Sequence, residues 1–342
     1  MTSFVGQDKA ERIFRQSFDK GKLHHAWILA GPKGLGKAGF AKQAAQFLLD
    51  SVEGIMPQEN GFHLDKQSQG AKLLAAGSHP DFRLIQRGGK TDKEDKKARE
   101  DGVDALEEHE LKRNISIAQI RNLQSLFATQ SSISTYRVVV IDAIDDLERG
   151  GANALLKNLE EPPKDTIFLL VSHAPERLLP TIRSRCQILR FDPLDDDQMR
   201  HVLTNIAPKL DDKERDALIA AGEGSPGRSL QYIDAGLAEL ETLARDIMRT
   251  GDKNNQIKSD LARKLSLKAA TVRYQAFLSR APSLMAQHIK SAGNKRSGNA
   301  IELWREASDL AAMASPKALD NQAVIFRLGS LMGSLAHLDE RA

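Results

Sequence analysis

The chain of 342 residues is 41% hydrophobic, which is enough for about two or three domains with apolar cores. Its net charge of +3 is too small to indicate nucleic-acid binding by itself, and no run approaches about 18 apolar residues, so no membrane span is predicted. The amino-terminal segment lacks the basic and apolar stretches of a signal peptide, which favours a cytoplasmic location. One cysteine, Cys186, excludes an internal disulfide and a zinc site built from cysteines.

A glycine-rich loop follows the first predicted strand, at 27–30, which itself follows an amphipathic helix at about 9–20. In a P-loop, glycines let backbone N–H groups converge on phosphate, and a lysine neutralises the phosphate charge. This chain has Ala38 where the motif has Ser or Thr to hold Mg²⁺, so a bound nucleotide would lack one metal ligand. The candidate nucleotide-binding residues of the loop are Gly31, Gly34, Gly36 and Lys37.

The region after this loop is less regular. His63 and His79 have no companions at metal-ligand spacing, so no zinc site is predicted. His79 begins a His-Pro-Asp segment at 79–81, and a packing role for it is favoured over catalysis. Residues 88–114 mix charges of both signs with few apolar residues, which favours a solvated, partly disordered insertion. Interspersed acids weaken the alternative, which is contact with DNA or a partner through Lys90, Lys93, Lys96 and Lys97.

The centre of the chain alternates buried strands with helices. Ser116 is a candidate cap for a short amphipathic helix, and a β-branched strand at 138–141 then ends in Asp142. A helix at 152–160 stops before two prolines, and a second apolar strand occupies 166–171. Such runs are typical of a parallel sheet covered on both faces. Asp142 would then lie at the carboxyl edge of the sheet, where α/β proteins bind ligands.

Two segments in this region carry a specific resemblance. They read ANALLKNLEEPP at 152–163 and TIRSRC at 181–186, and they follow a strand that ends in aspartate. With the P-loop, they make roughly the first two-thirds of the chain resemble bacterial clamp-loader subunits, which are AAA+ proteins that open the sliding clamp. The resemblance implies an α/β fold with a AAA+ P-loop domain and parallel sheet at 1–194, a small helical lid at 195–236 and an all-α collar at 237–342.

The same resemblance assigns roles around Asp142. The family's strand ends in Asp-Glu, which coordinates Mg²⁺ and orients the attacking water, but here Asp142 is followed by Ala143. The catalytic base is therefore missing, although Asp145 and Asp146 lie nearby in sequence. Loss of both the Mg²⁺ hydroxyl and the base implies a copy of the fold that does not hydrolyse ATP. Asp142 is then either a remnant of the nucleotide site or a structural residue.

The resemblance also implies roles for two arginines. Arg185 matches the arginine finger, which reaches the nucleotide of a neighbouring subunit, and the alternative is a surface or intrachain ion pair. Arg228 matches a lid arginine placed over the nucleotide, and the alternative is an ordinary residue at a helix amino terminus. Cys186 is interpreted as a small buried side chain rather than a redox group. Relatives often carry a four-cysteine zinc module near positions 50–78, and the absence of those cysteines implies no zinc here.

The rest of the chain is predicted to be helical, with helices at 195–210, 213–221 and 229–234, a break at 222–228 and a loop at 291–299. Apolar stripes in the collar are typical of helix cores, but only some of their members can face partners. The sequence does not separate these two groups among Leu261, Leu265, Val272, Phe277, Ile301, Trp304, Leu310, Ile325, Leu328 and Leu331.

The leading hypothesis is a clamp-loader subunit without ATPase activity of its own that supplies Arg185 to a motor subunit, as a component of the DNA-directed DNA polymerase holoenzyme. It requires no cofactor, although weak ATP or ADP binding at the P-loop is compatible with the sequence. The implied partners are motor (gamma/tau) subunits and a delta subunit, and through the complex the sliding clamp and primer-template DNA. No membrane partner is implied.

Two alternatives stay open. The first is an ATP-hydrolysing motor-type clamp-loader subunit or related AAA+ ATPase, which Ala38, Ala143 and a chain that stops soon after the collar all disfavour. The second is a stand-alone nucleic-acid binder with a vestigial P-loop, which the near-neutral charge and an aromatic content of only 5% disfavour.

Overall fold

The computed structural model describes residues 5–51, 62, 64–100, 103, 106, 110–128, 132–233, 235–291, 299–314 and 320–339. The chain divides into two compact units, Met1–Leu194 and Asp195–Ala342. The further division of the second unit into a lid and a collar stays a prediction. His63 and most of the predicted loop at 291–299 lie outside the described residues.

The first unit is built on a parallel five-stranded sheet. Its strands lie in the order β2-β3-β4-β1-β5, and the register pairs Ile28 with Leu170 on one side and with Ile188 on the other. The strands are β1 (Ala26–Ala30), β2 (Phe82–Gln86), β3 (Arg137–Asp142), β4 (Thr166–Ser172) and β5 (Gln187–Arg190). With the helices that accompany the sheet, this arrangement confirms the α/β fold class.

The described helices of the first unit cover both faces of this sheet. They are α1 (Asp8–Asp19), α2 (Lys37–Leu49), α3 (Gln69–Ala75), α4 (Asp92–Glu100), α5 (Ile117–Arg121), α6 (Leu123–Phe127), α7 (Arg149–Glu160) and α8 (Pro180–Arg183). Ile28 packs on one face with Leu123 and Leu155, while its neighbour Trp27 points to the other face and contacts Phe14 at 5.2 Å between ring centroids. The central strands are therefore buried on both sides, as their apolar sequences require.

The charged insertion is more ordered than its composition suggested. Residues 92–100 form helix α4, Gly89 pairs with Leu111 in an antiparallel bridge, and Ala98, Leu106 and Leu111 are buried together. These residues are therefore ordered, while residues 101–102, 104–105 and 107–109 of the predicted insertion lie outside the described part of the chain. The physical reason for the order is a small apolar cluster, together with a cap in which the Thr91 N–H donates to Glu94 (2.7 Å) and the Glu94 N–H donates to the Thr91 hydroxyl (3.3 Å).

The His-Pro-Asp turn before β2 has a structural role, as the sequence favoured. His79 is buried, and its Nδ1 accepts a hydrogen bond from the Asp81 N–H at 3.2 Å. Burial lowers the pKa of His79, which favours the neutral form of its ring. The buried Asp81 carboxylate accepts hydrogen bonds from the N–H groups of Ser132, Ile133 and Ser134 at 2.8, 3.0 and 3.1 Å. Asp81 thereby holds the loop that leads into β3.

We expect Asp81→Ala to lower the free energy of unfolding of the first unit by about 2–4 kcal/mol, because three N–H groups would lose their acceptor in a buried position. The measurement is urea denaturation followed by Trp27 emission in a Trp304→Phe background, since these two tryptophans lie in different units. Asp192→Ala is the control because Asp192 is exposed, and it should change stability by less than about 0.5 kcal/mol. Equal stability of the two variants would contradict the anchoring role of Asp81.

The regular secondary structure among the described residues of the second unit is all helical. Its helices are α9 (Asp196–Ile206), α10 (Asp212–Gly222), α11 (Pro226–Leu230), α12 (Leu237–Thr250), α13 (Gln256–Leu265), α14 (Thr271–Ser291), α15 (Asn299–Ala314) and α16 (Asn321–Asp339). None of the helices described in either unit combines the length and apolar character needed to cross a membrane.

The structure separates the apolar stripes of this unit into two groups. Val272, Ile301 and Trp304 are exposed, and Leu310 is half-buried. Helix α15 buries a stripe of alanines, Ala300, Ala307 and Ala314, while its Ile301, Trp304 and Met313 side chains are exposed. The remaining members of the predicted stripes form core: Leu261, Leu265, Phe277, Ile325, Leu328 and Leu331.

Candidate functional site

The glycine-rich loop lies between β1 and α2, at the edge where the parallel strands β1, β3 and β4 have their carboxyl ends. A side chain at Gly31 would place its Cβ 2.4 Å from the Phe191 carbonyl oxygen, so only glycine fits there. Gly34 and Gly36 have φ values of 85° and 81°, in the left-handed region that glycine tolerates. All three predicted glycines are therefore required by the shape of a P-loop.

Lys37, the first residue of α2, is buried and turned toward the loop itself. Its ammonium donates to the carbonyl oxygens of Gly31 and Pro32 at 2.6 and 2.5 Å. Burial lowers the pKa of Lys37 to about 8, while the carboxylates of Asp142 and Asp145 act in the opposite direction. A phosphate that bound this loop would compete with two backbone carbonyls for an ammonium that is already hydrogen-bonded.

The carboxylates after β3 are occupied by structural contacts. Asp145 accepts hydrogen bonds from the Ser172 hydroxyl (3.0 Å) and from the N–H groups of His173 (2.7 Å) and Ala174 (3.2 Å). Asp146 pairs with Arg87 at 3.1 Å. The two residues that the sequence offered as substitutes for a catalytic base thus hold the ends of β4 and β2 in place.

Asp142 ends β3 near Lys37, and the next residue, Ala143, is buried. An alanine side chain has no group that could activate water. The structure therefore brings together the predicted glycines, Lys37 and Asp142 at one edge, with the buried methyl group of Ala143 directly after Asp142.

His173 is a residue of this edge that the sequence reasoning missed. It follows β4, and burial together with the nearby Lys37 charge lowers its pKa to about 4, so the ring is neutral near pH 7. Its Nδ1 is buried without a hydrogen-bond partner among the described residues. The sequence signal that could have identified His173 is its position directly after a buried parallel strand.

Arg185 follows the short helix α8, whose Ile182 is buried in the core of the first unit. Its Nη1 donates to the Thr181 carbonyl (2.9 Å) and the Ser184 hydroxyl (3.4 Å), and its Nη2 pairs with Glu160 at 2.8 Å. The side chain is 34% exposed. The intrachain ion pair that the sequence left open thus exists, with Glu160 as the partner that sequence reasoning did not identify.

Arg228 lies inside helix α11 of the second unit. The predicted helix at 229–234 was placed too late, because Ser225 caps the helix and Pro226 opens it. Arg228 pairs with Glu223 at 2.6 Å. Within this unit, Arg228 is therefore a residue near a helix amino terminus, as the alternative interpretation predicted. Its role over a nucleotide stays a prediction.

Cys186 is half-buried against the core beside β5. Burial raises the pKa of its thiol to about 12, so the reactive thiolate is scarce near pH 7, which agrees with a packing role. No group of three or more His, Cys, Asp or Glu side chains lies close enough to hold a metal within the part of the chain that the structure describes.

Comparison with known proteins identifies the family to which the chain is similar. Residues 6–195 match the family described as "DNA polymerase III, delta subunit". The chain is 33% identical over 188 residues to DNA polymerase III subunit delta-prime of Bacillus subtilis, covering 55% of this chain and 48% of that protein. For subunit delta-prime of Pseudomonas aeruginosa the identity is 34% over 233 residues, covering 67% of this chain and 62% of that protein. The matched region is thus about half to three-fifths of these relatives.

A gamma/tau subunit is also similar. DNA polymerase III subunit gamma/tau of Mycobacterium tuberculosis is 31% identical over 238 residues, which cover 68% of this chain and 36% of that protein. The family match takes in more than half of the chain, and it coincides with the unit that carries the P-loop and Arg185. The chain therefore belongs to the family of DNA polymerase III clamp-loader delta-prime subunits.

Proposed function

We propose that this chain is a clamp-loader subunit that does not hydrolyse ATP. It assembles with gamma/tau-type motor subunits and a delta subunit of DNA polymerase III. Within that complex it supplies Arg185 to the nucleotide of a neighbouring motor subunit during loading of the sliding clamp onto primer-template DNA. Its own P-loop binds ATP or ADP weakly at most, and it requires no metal or other cofactor.

The observation that carries this proposal is the chemistry of the edge of the sheet. Ala38 and Ala143 replace the metal-binding hydroxyl and the base, and the nearby carboxylates of Asp145 and Asp146 are bound in structural contacts. The Lys37 ammonium bonds the loop's own carbonyls. The glycines that shape a phosphate loop are present, but the metal-binding hydroxyl and the base are replaced by alanine. This supports a P-loop that has a structural role and does not catalyse hydrolysis.

Arg185 is suited to act on a neighbour rather than on its own loop. Its backbone is fixed by α8, where the Arg185 N–H donates to the Ile182 carbonyl at 3.1 Å, while its guanidinium stays part-exposed. A guanidinium keeps its charge and can bridge phosphate oxygens. These features support an arginine that reaches across a subunit boundary.

The second unit offers a surface for assembly. Helix α15 exposes Ile301 (49%), Trp304 (37%) and Met313 (45%), while it packs against its own unit through alanines. Exposed large apolar side chains on a helix that also carries charged residues are compatible with a protein contact surface. This supports the proposal that the region after about residue 237 is the main contact with the other subunits.

The similarity to gamma/tau subunits is the observation that favours the alternative of an ATP-hydrolysing motor subunit. That alternative requires a base and a metal ligand at positions 143 and 38, where this chain has alanine. It also predicts ATP turnover by the isolated chain, so one assay separates the two proposals.

We expect the isolated chain to show no ATP hydrolysis above background. We also expect it to restore clamp-dependent ATPase activity when it is added to gamma/tau-type and delta subunits that lack a delta-prime subunit. The physical reason is that Ala38 and Ala143 stand where the metal-binding hydroxyl and the base are expected, whereas the complete ring gains Arg185. Phosphate release measures both activities, and co-elution in size-exclusion chromatography reports assembly.

Lys37→Ala is the control for the chain's own P-loop. It should leave the activity of the restored complex unchanged, because the proposal gives no catalytic role to this loop. Steady turnover by the isolated chain that Lys37→Ala abolishes would instead support the motor-type alternative.

A further inference from the structure

The contact between Glu160 and Arg185 joins the two sequence segments that carried the family resemblance. Glu160 is the last residue of α7, and Arg185 comes two residues after α8 ends. A carboxylate oxygen of Glu160 lies 2.8 Å from Nη2 of Arg185, while Nη1 donates to the Thr181 carbonyl at 2.9 Å. The guanidinium is thus held on two sides, by a backbone oxygen of its own turn and by a carboxylate from another helix.

The position of Glu160 is unfavourable for a carboxylate unless a cation lies near. The carboxyl end of a helix carries partial negative charge and favours cations, yet α7 ends in Glu160 and is followed by Glu161. Glu161 is exposed and makes no ion pair within the described residues. Within the described part of the chain, Glu160 has a cationic partner and Glu161 has none, so the two adjacent carboxylates provide a matched pair for experiment.

The contacts leave the guanidinium able to bind phosphate. Arginine has five N–H donors, and the contacts with Thr181, Ser184 and Glu160 use at most three of them. At least two donors can therefore reach phosphate oxygens while Glu160 stays in place. A side chain held in one position before it meets the substrate loses less conformational entropy in the reaction.

We propose that Glu160 is a positioning residue that holds Arg185 in the orientation needed to reach the neighbouring subunit's nucleotide. This inference rests on the proposed function of Arg185 in trans. Glu160 touches no nucleotide itself. It acts by restricting the guanidinium, so its loss lowers the catalytic rate constant without weakening assembly or nucleotide affinity.

The test uses the complete clamp loader assembled with Glu160→Gln, Glu160→Asp or Glu161→Gln in this chain. We expect Glu160→Gln to lower kcat of the clamp-dependent ATPase by about threefold to fivefold, the range of a part-exposed ion pair, with KM for ATP unchanged. Glu160→Asp keeps the charge on a shorter side chain and should recover part of the loss. Glu161→Gln removes the same charge one residue away and should leave kcat unchanged.

A double variant separates this inference from the proposed function. In an Arg185→Ala background, Glu160→Gln should have no further effect, because Glu160 acts through Arg185. If Arg185→Ala is impaired but Glu160→Gln matches the wild type, exceeds it, or slows the reaction equally in both backgrounds, the positioning role is wrong while the finger stands. If Arg185→Ala itself is unchanged, the proposed function fails and this inference fails with it.

Discussion

If Arg185 acts as proposed, its replacement by alanine should lower the hydrolysis rate at the neighbouring active site by on the order of 10³, because arginine fingers in GTPases contribute about 10³ to 10⁵. The charge that develops on the γ-phosphoryl group would lose a cation that is fixed in position. Assembly should be unaffected, since the Arg185 side chain is part-exposed and its contacts are to a helix carbonyl, a neighbouring hydroxyl and a surface carboxylate.

The measurement is single-turnover ATP hydrolysis and clamp loading by the reconstituted complex. Arg183→Ala is the matched control, because Arg183 is an exposed arginine two residues earlier at the end of α8. Arg185→Lys keeps a positive charge but loses the planar donor fork, so we expect an intermediate rate. A fully assembled Arg185→Ala complex with wild-type hydrolysis and loading rates would show that Arg185 is not a finger.

The sequence was most informative where burial and backbone geometry constrain the residue type. Residues 138–141 are β-branched because they lie in a central strand covered on both faces. Gly31 tolerates no side chain next to Phe191, and Gly34 and Gly36 adopt left-handed φ values. The φ values of Gly34 and Gly36 are local and the burial of β3 repeats along the strand, so both can be recognised without knowledge of the fold. Gly31 was recognised only as part of the P-loop motif, since its contact with Phe191 is long-range.

Local signals were also missed, and the charged insertion is the clearest case. The mixed charges of 88–114 indicated disorder, but Thr91-Asp-Lys-Glu94 is a capping box that predicts the start of α4. The same reasoning applies to α11, where Ser225 and Pro226 mark a start that was placed three residues too late. Composition was given too much weight and cap residues too little.

Other features of the site depend on contacts between distant segments, which one sequence does not reveal. Asp145 accepts hydrogen bonds from residues at the end of β4, which lie at least 27 positions later in the sequence. Glu160 contacts Arg185 only because α7 and α8 lie side by side. Likewise, Trp304 and Leu328 both fit helical stripes, but only packing decides that the first is exposed and the second buried. Sequence periodicity gives the face of a helix, and tertiary contacts decide what covers it.

The largest effect on stability is expected from Arg280, a charged residue within an apolar stripe of α14. Arg280 and Glu241 are both buried, and Nε and Nη2 of Arg280 lie 2.8 and 2.6 Å from the same oxygen of Glu241 on α12. Nη1 also donates to the Ala220 carbonyl of α10 at 3.3 Å. One guanidinium therefore joins three helices of the second unit.

Arg280→Met should lower the free energy of unfolding of the second unit by about 3–5 kcal/mol, because it leaves a buried carboxylate without its main cation. Arg245, whose Nη2 lies 3.3 Å from the other oxygen of Glu241, is mostly exposed and compensates only in part. Urea unfolding followed by Trp304 emission in a Trp27→Phe background reports this unit alone, since the chain has only two tryptophans.

The double variant Arg280→Met with Glu241→Leu tests the cause of this loss. If the cost comes from an unpaired buried charge, removal of both charges should restore most of the stability, because well-packed apolar side chains replace buried ion pairs at little cost. If the double variant is as unstable as Arg280→Met, the loss comes from the hydrogen bond to Ala220 or from packing of the arginine stem, and the electrostatic explanation is wrong.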